Sequence, residues 1–198
     1  IDLIAIQKMN RLHLHLTDDQ GWRVQIDAYP ELTRTGAFIE KGNRQKGFYT
    51  KGDLTEIVEY AAARNVTVVP EIEIPGHAYA AMQSYPSLCC TGKPTRNPGH
   101  QKDLYCAGKE STFEFLYTVL DEILAIFPSP VIHIGGDEAP KDRWRDCPAC
   151  RQRIRDEDLD DEEALQAYMI QRCAAHLESH GRQAIGWDDI LGGDPKSD

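Results

Sequence analysis

The sequence predicts an α/β fold, a partial (β/α)8 TIM barrel, on three observations. Four short apolar runs are typical of strands, amphipathic helical patterns separate them, and polar or glycine-rich residues follow each run. Strands that alternate with helices indicate a parallel sheet covered by crossover connections. The competing open-sheet nucleotide folds need a glycine-rich phosphate turn, whereas Gly135 and Gly136 are followed by acids. We therefore favour the barrel.

The individual elements follow from periodicity and from helix start and stop signals. Strands are predicted at residues 11–17, 66–74, 131–135 and 183–187. Helices are predicted at 53–64, 110–127 and 161–180, after the tail of a helix in residues 1–10. Asp53 can cap the first of these, with Glu56 three residues later, while Pro128 and Gly181 end the other two. A complete barrel takes about 250 residues, so four strands correspond to roughly half of one.

Composition excludes several partners. The 198 residues carry a formal net charge of -10 and no Lys/Arg-rich block that would follow a phosphate backbone, so nucleic acid is not expected. No apolar run approaches the roughly 18 residues needed to span a bilayer. The chain begins at Ile1 without an initiator methionine or a signal peptide, which suggests a piece of a longer protein.

Six cysteines are many for a cytosolic domain and favour oxidising surroundings. Cys147 and Cys150 have the spacing of half a zinc site or of a redox pair. A structural zinc site, however, is expected to have a second closely spaced pair, and Cys89 and Cys90 are adjacent instead. Local disulfides or buried thiols are therefore favoured, and no metal is expected.

Ionisable groups follow all four predicted strands, at the edge where barrels and parallel sheets form active sites. They are Asp18 and Asp19, then His77, then Asp137 and Glu138, and finally Asp188 and Asp189. Taken singly, Asp18 or Asp137 can cap a helix and His77 can be an ordinary loop histidine. Their convergence at the carboxyl ends of the strands, an edge called the rim below, nevertheless predicts a site. Trp22 and Trp187 lie at the same strand ends, and exposed tryptophan faces suit the apolar faces of a pyranose.

The adjacent acids Asp137 and Glu138 suggest the chemistry. Two carboxyls in one cleft drive their pKa values apart, so that one can donate a proton near neutrality. Cleavage of a glycosidic bond needs such a donor, and a neutral carbohydrate fits a chain without a basic patch. Strict strand alternation would direct the two acids to opposite faces, so the chain must turn at Gly136 for both to reach one sugar.

Two alternatives remain open. His13 and His15 lie on one side of a strand and could bind a metal, as in barrel amidohydrolases. This pair lies inside its strand rather than at the end, so packing in the core or behind the site is favoured over metal ligation. The second alternative is a carbohydrate-binding protein without catalytic activity, for which an intact acid pair would be unnecessary.

Four motifs, in order, resemble those of family 20 glycoside hydrolases, the β-N-acetylhexosaminidases. They are residues 12–23 (LHLHLTDDQGWR), 69–77 (VPEIEIPGH), 133–138 (HIGGDE) and 186–188 (GWD). The resemblance extends over nearly the whole chain. It implies a (β/α)8 barrel that removes terminal β-linked N-acetylglucosamine or N-acetylgalactosamine from amino-sugar glycans with retention of configuration. The 2-acetamido oxygen of the sugar is then the nucleophile, and no cofactor or metal is implied.

The resemblance also implies roles for single residues. Glu138 corresponds to the general acid and later the base that activates water. Asp137 corresponds to the group that orients the acetamido N–H and stabilises the developing oxazolinium charge. Asp18 and His77 resemble rim residues that support this pair and bind substrate, and Trp187 resembles one wall of the acetamido pocket. No role follows for Trp22, Arg23 or Glu71.

The family's sugar-binding arginine would lie before Ile1, and its later tyrosine, tryptophans and carboxylate would lie after Asp198. Residues 1–198 are therefore expected to be a single segment of a catalytic domain, incomplete at both ends and holding about strands two to five of eight. Alone, this segment is expected to be nearly inactive and to self-associate through its exposed sheet edges. Cysteine usage and the family's polymeric substrates favour a periplasmic or extracellular location.

Overall fold

A computed structural model describes residues 1–39, 46–95 and 102–191. Its strands are β1 (Arg11–His15), β2 (Thr17–Asp18), β3 (Gly21–Trp22), β4 (Thr67–Glu71), β5 (Val131–His133) and β6 (Gln183–Ile185). Its α-helices are α1 (Asp2–Ile6), α2 (Glu31–Arg34), α3 (Lys51–Ala62), α4 (Tyr79–Ser84), α5 (Glu110–Ile126), α6 (Asp142–Asp146), α7 (Pro148–Asp156) and α8 (Glu162–Ser179). Short 3₁₀ helices lie at Gly36–Phe38, Pro86–Leu88 and Asp188–Leu191.

The main sheet has four strands in the order β1-β4-β5-β6, and every neighbouring pair is parallel. The helices α3, α5 and α8 form the crossovers between successive strands. Strand order thus follows chain order without the reversal that defines a doubly wound sheet. The architecture is that of part of a (β/α)8 barrel, as predicted, and β2 and β3 add a short antiparallel hairpin after β1.

The two faces of the sheet differ in burial. On β1, Leu12 and Leu14 pack against the core that lies between the sheet and the helices. Most of the apolar stripe of α5 is buried there, including Phe113, while Leu124 is partly buried. The alternate residues His13 and His15 lie on the opposite, inner face, as the two-residue repeat of a strand requires. This inner face leads to the strand ends at which the site was predicted.

Helix α3 begins differently from the prediction. Its N-cap is Thr50, whose hydroxyl accepts a hydrogen bond from the Asp53 amide, while the Asp53 carboxylate accepts one from the Thr50 amide. The predicted cap Asp53 therefore lies at the N3 position of a capping box that Thr50 begins. At α8, Asp161 is the N-cap and accepts from the amides of Glu163 and Ala164.

The segments that follow β4 and β5 contain structure that the periodicity did not predict. The helix α4 lies between β4 and α5, while α6 and α7 lie between β5 and α8. These helices are only five to nine residues long, too short for a clear apolar repeat. Across the described ranges, no helix combines the length and the apolar character needed to cross a membrane.

Candidate active site

Four of the predicted site residues meet at the carboxyl ends of the strands. His77 lies at their centre, with its Nδ1 atom 3.0 Å from Asp18 Oδ1. Its Nε2 atom lies 3.6 Å from Asp137 Oδ2 and 3.7 Å from Glu138 Oε2. The convergence predicted from the strand ends is therefore observed for Asp18, His77, Asp137 and Glu138.

The His77 ring is held as a cation. The hydrogen bond to Asp18 is the main reason that the pKa of His77 rises to about 9, and the charges of Glu73 and Asp137 raise it further. Burial raises the pKa of Asp18, but hydrogen bonds from His77 and from the Asp19 amide lower it overall. At neutral pH, a positive imidazolium thus lies between Asp18 and the two adjacent acids.

The chain turns before the two acids. Gly135 and Gly136 have φ angles of 67° and 108°, and Glu138 has a φ of 46°. A β-carbon on Gly136 would collide with Ile190, and one on Gly135 would collide with the Glu73 carboxylate. Gln166 of α8 secures the turn, since its Nε2 donates to the Gly136 carbonyl over 2.7 Å. The turn predicted at Gly136 is present, and only glycine fits both positions.

Glu71 is a buried hub beneath the rim. Its Oε1 atom accepts a hydrogen bond of 3.0 Å from Trp187 Nε1 and lies 3.0 Å from His133 Nδ1. Its Oε2 atom lies 2.7 Å from His13 Nε2. Burial raises the pKa of Glu71, but the hydrogen bond with His133 and the charges of His15, His133 and His13 outweigh it and lower the pKa to about 2.

Glu73 lies two residues after Glu71, and its pKa is raised whereas that of Glu71 is lowered. Its side chain is 2 % exposed, and its Oε1 atom lies 3.1 Å from His15 Nε2. Burial, followed by the charges of Glu71 and Asp137, raises the pKa of Glu73 to about 7 although the hydrogen bond to His15 lowers it. A separation of carboxyl pKa values of the kind expected for acids in one cleft is found at Glu71 and Glu73.

Comparison with known proteins assigns the chain to a family. The model of the catalytic domain of glycosyl hydrolase family 20 matches residues 1–198. The chain belongs to glycosyl hydrolase family 20. A beta-hexosaminidase of Porphyromonas gingivalis is 48% identical over 98% of this chain and 26% of its own length. One of Akkermansia muciniphila is 41% identical over 94% of this chain and 40% of its own length.

Solved structures agree with this placement. The beta-N-acetylhexosaminidase of Bacteroides fragilis superposes with a TM-score of 0.93 at 47% identity, covering 99% of this chain and 39% of that one. A family 20 exo beta-N-acetylglucosaminidase of Vibrio harveyi, solved with N-acetylglucosamine, has a TM-score of 0.89 at 34% identity, covering 99% and 33%. The chain therefore spans between a quarter and two fifths of these relatives.

Within this family 20 chain, the paired histidines of β1 lie next to different carboxylates and do not converge on one point. His13 faces Glu71, whereas His15 Nε2 faces Glu73. His15 Nδ1 lies 3.9 Å from Glu71, beyond hydrogen-bonding distance. Both rings are partly exposed, so they lie behind the site rather than in the core. The geometry favours orientation of carboxylates over a shared metal.

The two tryptophans of the family 20 motifs differ. Trp22 is buried in the core, with its indole N–H donated to the Val24 carbonyl over 2.7 Å. Trp22 therefore offers no exposed face to a sugar, unlike the general expectation for tryptophans at the strand ends. Trp187 is 42% exposed, and its ring contacts His133 edge-on at 4.8 Å between centroids. Arg23 donates to the carbonyls of Ala37 and Gly47, which indicates a structural role.

Two site residues of this family 20 segment were not predicted from its sequence. The role of Glu71 was unassigned and Glu73 was not singled out, although a Glu-Ile-Glu run inside an apolar strand was a signal. Two acids at alternate positions of a buried strand must find partners, because an unpaired buried charge is costly. Asp19, which was predicted among the strand-end groups, accepts a hydrogen bond from the Tyr79 amide at the start of α4 through its carboxylate.

Proposed function

We propose that the full-length protein is a retaining β-N-acetylhexosaminidase that removes terminal non-reducing N-acetylglucosamine or N-acetylgalactosamine from amino-sugar glycans. In this mechanism the substrate's own acetamido oxygen attacks the anomeric carbon. The observation that carries the proposal is the acid pair of a family 20 chain, Asp137 and Glu138, with both carboxylates close to His77 Nε2.

Exposure and hydrogen bonding support a division of roles between the acids. The Glu138 side chain is 79% exposed, so it can reach the glycosidic oxygen and protonate it. Asp137 is 25% exposed, and its Oδ1 atom is buried without a hydrogen-bond partner in the described parts of the chain. That oxygen is suited to accept the acetamido N–H, which orients the nucleophile and stabilises the oxazolinium charge.

The adjacency of the acids supports the same mechanism. An ordinary retaining glycosidase places its nucleophile and its acid about 5–5.5 Å apart on either side of the scissile bond. Two neighbouring residues after one sharp turn are poorly suited to flank a bond. A nucleophile supplied by the substrate removes this requirement, so that one acid serves proton transfer and the other serves the acetamide.

The remaining rim residues position the substrate in this proposal. Asp18 fixes the His77 ring, whose Nε2 has no hydrogen-bond partner among the described residues and can donate to a sugar oxygen. Trp187 forms one wall of the acetamido pocket, because its hydrogen bond to Glu71 fixes the indole while leaving part of the ring exposed. No step requires a metal or an organic cofactor at this rim.

We also propose that the enzyme acts outside the cytoplasm, on the ground that its expected substrates are polymeric glycans. The number of cysteines does not support this location, because all six lie in described segments and none of them forms a disulfide. The 198-residue segment alone is expected to hydrolyse little, and full turnover by it in a chromogenic N-acetylglucosaminide assay would contradict that expectation.

The function is tested by two substitutions in the full-length protein. Glu138→Gln is expected to lower kcat/KM by about 10²- to 10⁴-fold, because the proton donor is lost. Asp137→Asn is expected to slow hydrolysis chiefly of substrates that carry the acetamide. Glu56→Gln, an exposed acid on α3, is the control and should leave rates unchanged. Rates near wild type for both rim variants would refute the assignment, and glycan binding without hydrolysis by the wild type would favour the binding-protein alternative.

A further inference from the structure

Four cysteines from three separate segments meet in the layer behind the rim. The Sγ atoms of Cys90 and Cys150 are 3.7 Å apart, those of Cys106 and Cys147 are 3.8 Å apart, and those of Cys106 and Cys150 are 3.7 Å apart. All four sulfur atoms lie within 4.8 Å of one another. Cys106, Cys147 and Cys150 are buried, and Cys90 is partly buried.

These distances match a tetrahedral metal–thiolate centre. With metal–sulfur bonds of about 2.3 Å, the sulfur atoms of a tetrahedral Cys₄ site lie about 3.8 Å apart. A disulfide would bring two sulfurs to about 2.05 Å, and none of the six cysteines, all in described segments, forms one. We propose that Cys90, Cys106, Cys147 and Cys150 bind one structural zinc ion. Four protein ligands leave no open position, so the ion would hold structure rather than react with substrate.

The backbone segments that carry Cys106 and Cys147 pack closely against each other. Cys147 is the N-cap of α7, and Pro148 begins the helix, so the positive end of the helix dipole lies at this cysteine. Gly108 follows Cys106 by two residues, and a β-carbon there would collide with the Ala149 backbone between the paired cysteines. The turn after Cys106 therefore packs directly on the Cys147–Cys150 turn, which brings the sulfurs of both turns together.

A fixed positive charge lies beside the cluster. The Lys109 ammonium donates to the carbonyls of Ser87 and Cys89, each over 2.8 Å. A zinc ion with four thiolates carries a net charge of about −2, which an adjacent cation offsets. The same two hydrogen bonds hold the backbone next to Cys90, so the lysine supports both the charge and the position of that ligand.

The centre would join the two segments that carry the rim residues. Cys90 and Cys106 lie in the segment after β4 that begins near His77, whereas Cys147 and Cys150 lie in the segment after β5 that begins with the acid pair. The zinc would therefore help to position His77 relative to the acids without contacting substrate. The sequence did not suggest this centre, because a zinc site was expected to need a second closely spaced pair of cysteines. Cys90 and Cys106 instead lie far apart in the sequence of one loop.

The first test is metal analysis of the wild-type full-length protein purified under reducing conditions with zinc supplied. About one zinc per chain is expected, with X-ray absorption showing four sulfur ligands at about 2.3 Å. Substoichiometric zinc, nitrogen or oxygen ligands, iron in place of zinc, or disulfides among these cysteines would overturn the proposal. This measurement needs no variant and does not depend on hydrolytic activity.

The second test compares adjacent cysteines. Cys90→Ser removes a proposed ligand, whereas Cys89→Ser changes a buried neighbour whose sulfur contacts the Pro86 carbonyl at 3.3 Å and lies outside the cluster. After dialysis against a chelator, Cys90→Ser is expected to lose most of its zinc and to melt at least several degrees lower, while Cys89→Ser retains the ion. Equal zinc retention, or equal loss, in the two variants would overturn the assignment of Cys90.

Discussion

Replacing Glu71 by glutamine would remove the buried negative charge that His13, His133 and Trp187 share. The pKa of Glu71 is lowered from 4.5 to about 2, and each pKa unit corresponds to 1.36 kcal/mol. The ionised carboxylate therefore contributes about 3 kcal/mol to the free energy of unfolding. Its side chain is only 1% exposed, whereas the His13 ring beside it is 39% exposed, so about 3 kcal/mol is an upper value. The Glu71→Gln variant should lose most of this contribution to the free energy of unfolding at neutral pH.

The pH dependence of this effect has a definite sign. The pKa of Glu71 is lower in the folded state than in the unfolded state, so its contribution is complete above pH 4.5 and is lost as the pH falls through about 2. The difference between wild type and Glu71→Gln should therefore be about 3 kcal/mol at pH 7 and only about 1 kcal/mol at pH 3.

Urea unfolding of the full-length protein at both pH values measures the difference. Glu56→Gln makes the same chemical change on the exposed surface of α3 and should alter the free energy of unfolding by less than about 0.5 kcal/mol. A loss below about 1 kcal/mol for Glu71→Gln at pH 7, or a loss that does not change with pH, would refute the role of Glu71 as an ionised hub.

Two further predictions concern the turn and the second buried acid. Gly136→Ala should destabilise the protein by about 1–3 kcal/mol or more and lower kcat/KM, because φ is positive and the new methyl group meets Ile190. Thermal unfolding and initial rates measure both effects. Glu73 has a raised pKa of about 7, so wild type should lose about 3 kcal/mol relative to Glu73→Gln as the pH rises from 4.5 to 8.

Matched comparisons make both predictions refutable. Gly181→Ala also has positive φ, but nothing lies within 4 Å of the added methyl group, so it should cost only about 1 kcal/mol and leave rates unchanged. Equal effects of the two alanine substitutions would contradict the steric role of Gly136. A stability difference between wild type and Glu73→Gln that is constant with pH would show that Glu73 is ionised throughout that range.

The strands and long helices could be predicted because their information is local. Alternation of Leu12 and Leu14 with His13 and His15 assigns both faces of β1, and the convergence of strand ends follows from parallel topology alone. The start of α3 was misplaced because Asp53 fits a cap as well as it fits the third position of a capping box. Local sequence patterns do not distinguish a helix that begins after Asp53 from one that begins after Thr50.

The contacts that support the site from behind could not be predicted from local sequence patterns. The hydrogen bond between Trp187 and Glu71 joins residues 116 positions apart, so neither side chain signals it locally. The four cysteines likewise converge only because two loops pack on each other. A buried acid within a strand indicates that it has a hydrogen-bonding partner, but only the fold shows which residue that partner is.

In the proposed mechanism, the substrate's acetamide supplies the nucleophile at the Asp137–Glu138 rim. The most direct measurement is kcat/KM of the full-length protein on a nitrophenyl N-acetyl-β-glucosaminide and on the matching β-glucoside, which lacks the acetamide. Loss of an intramolecular nucleophile should lower kcat/KM at least about a thousandfold, so the glucoside should be nearly inert. Comparable rates on the two substrates would contradict substrate assistance.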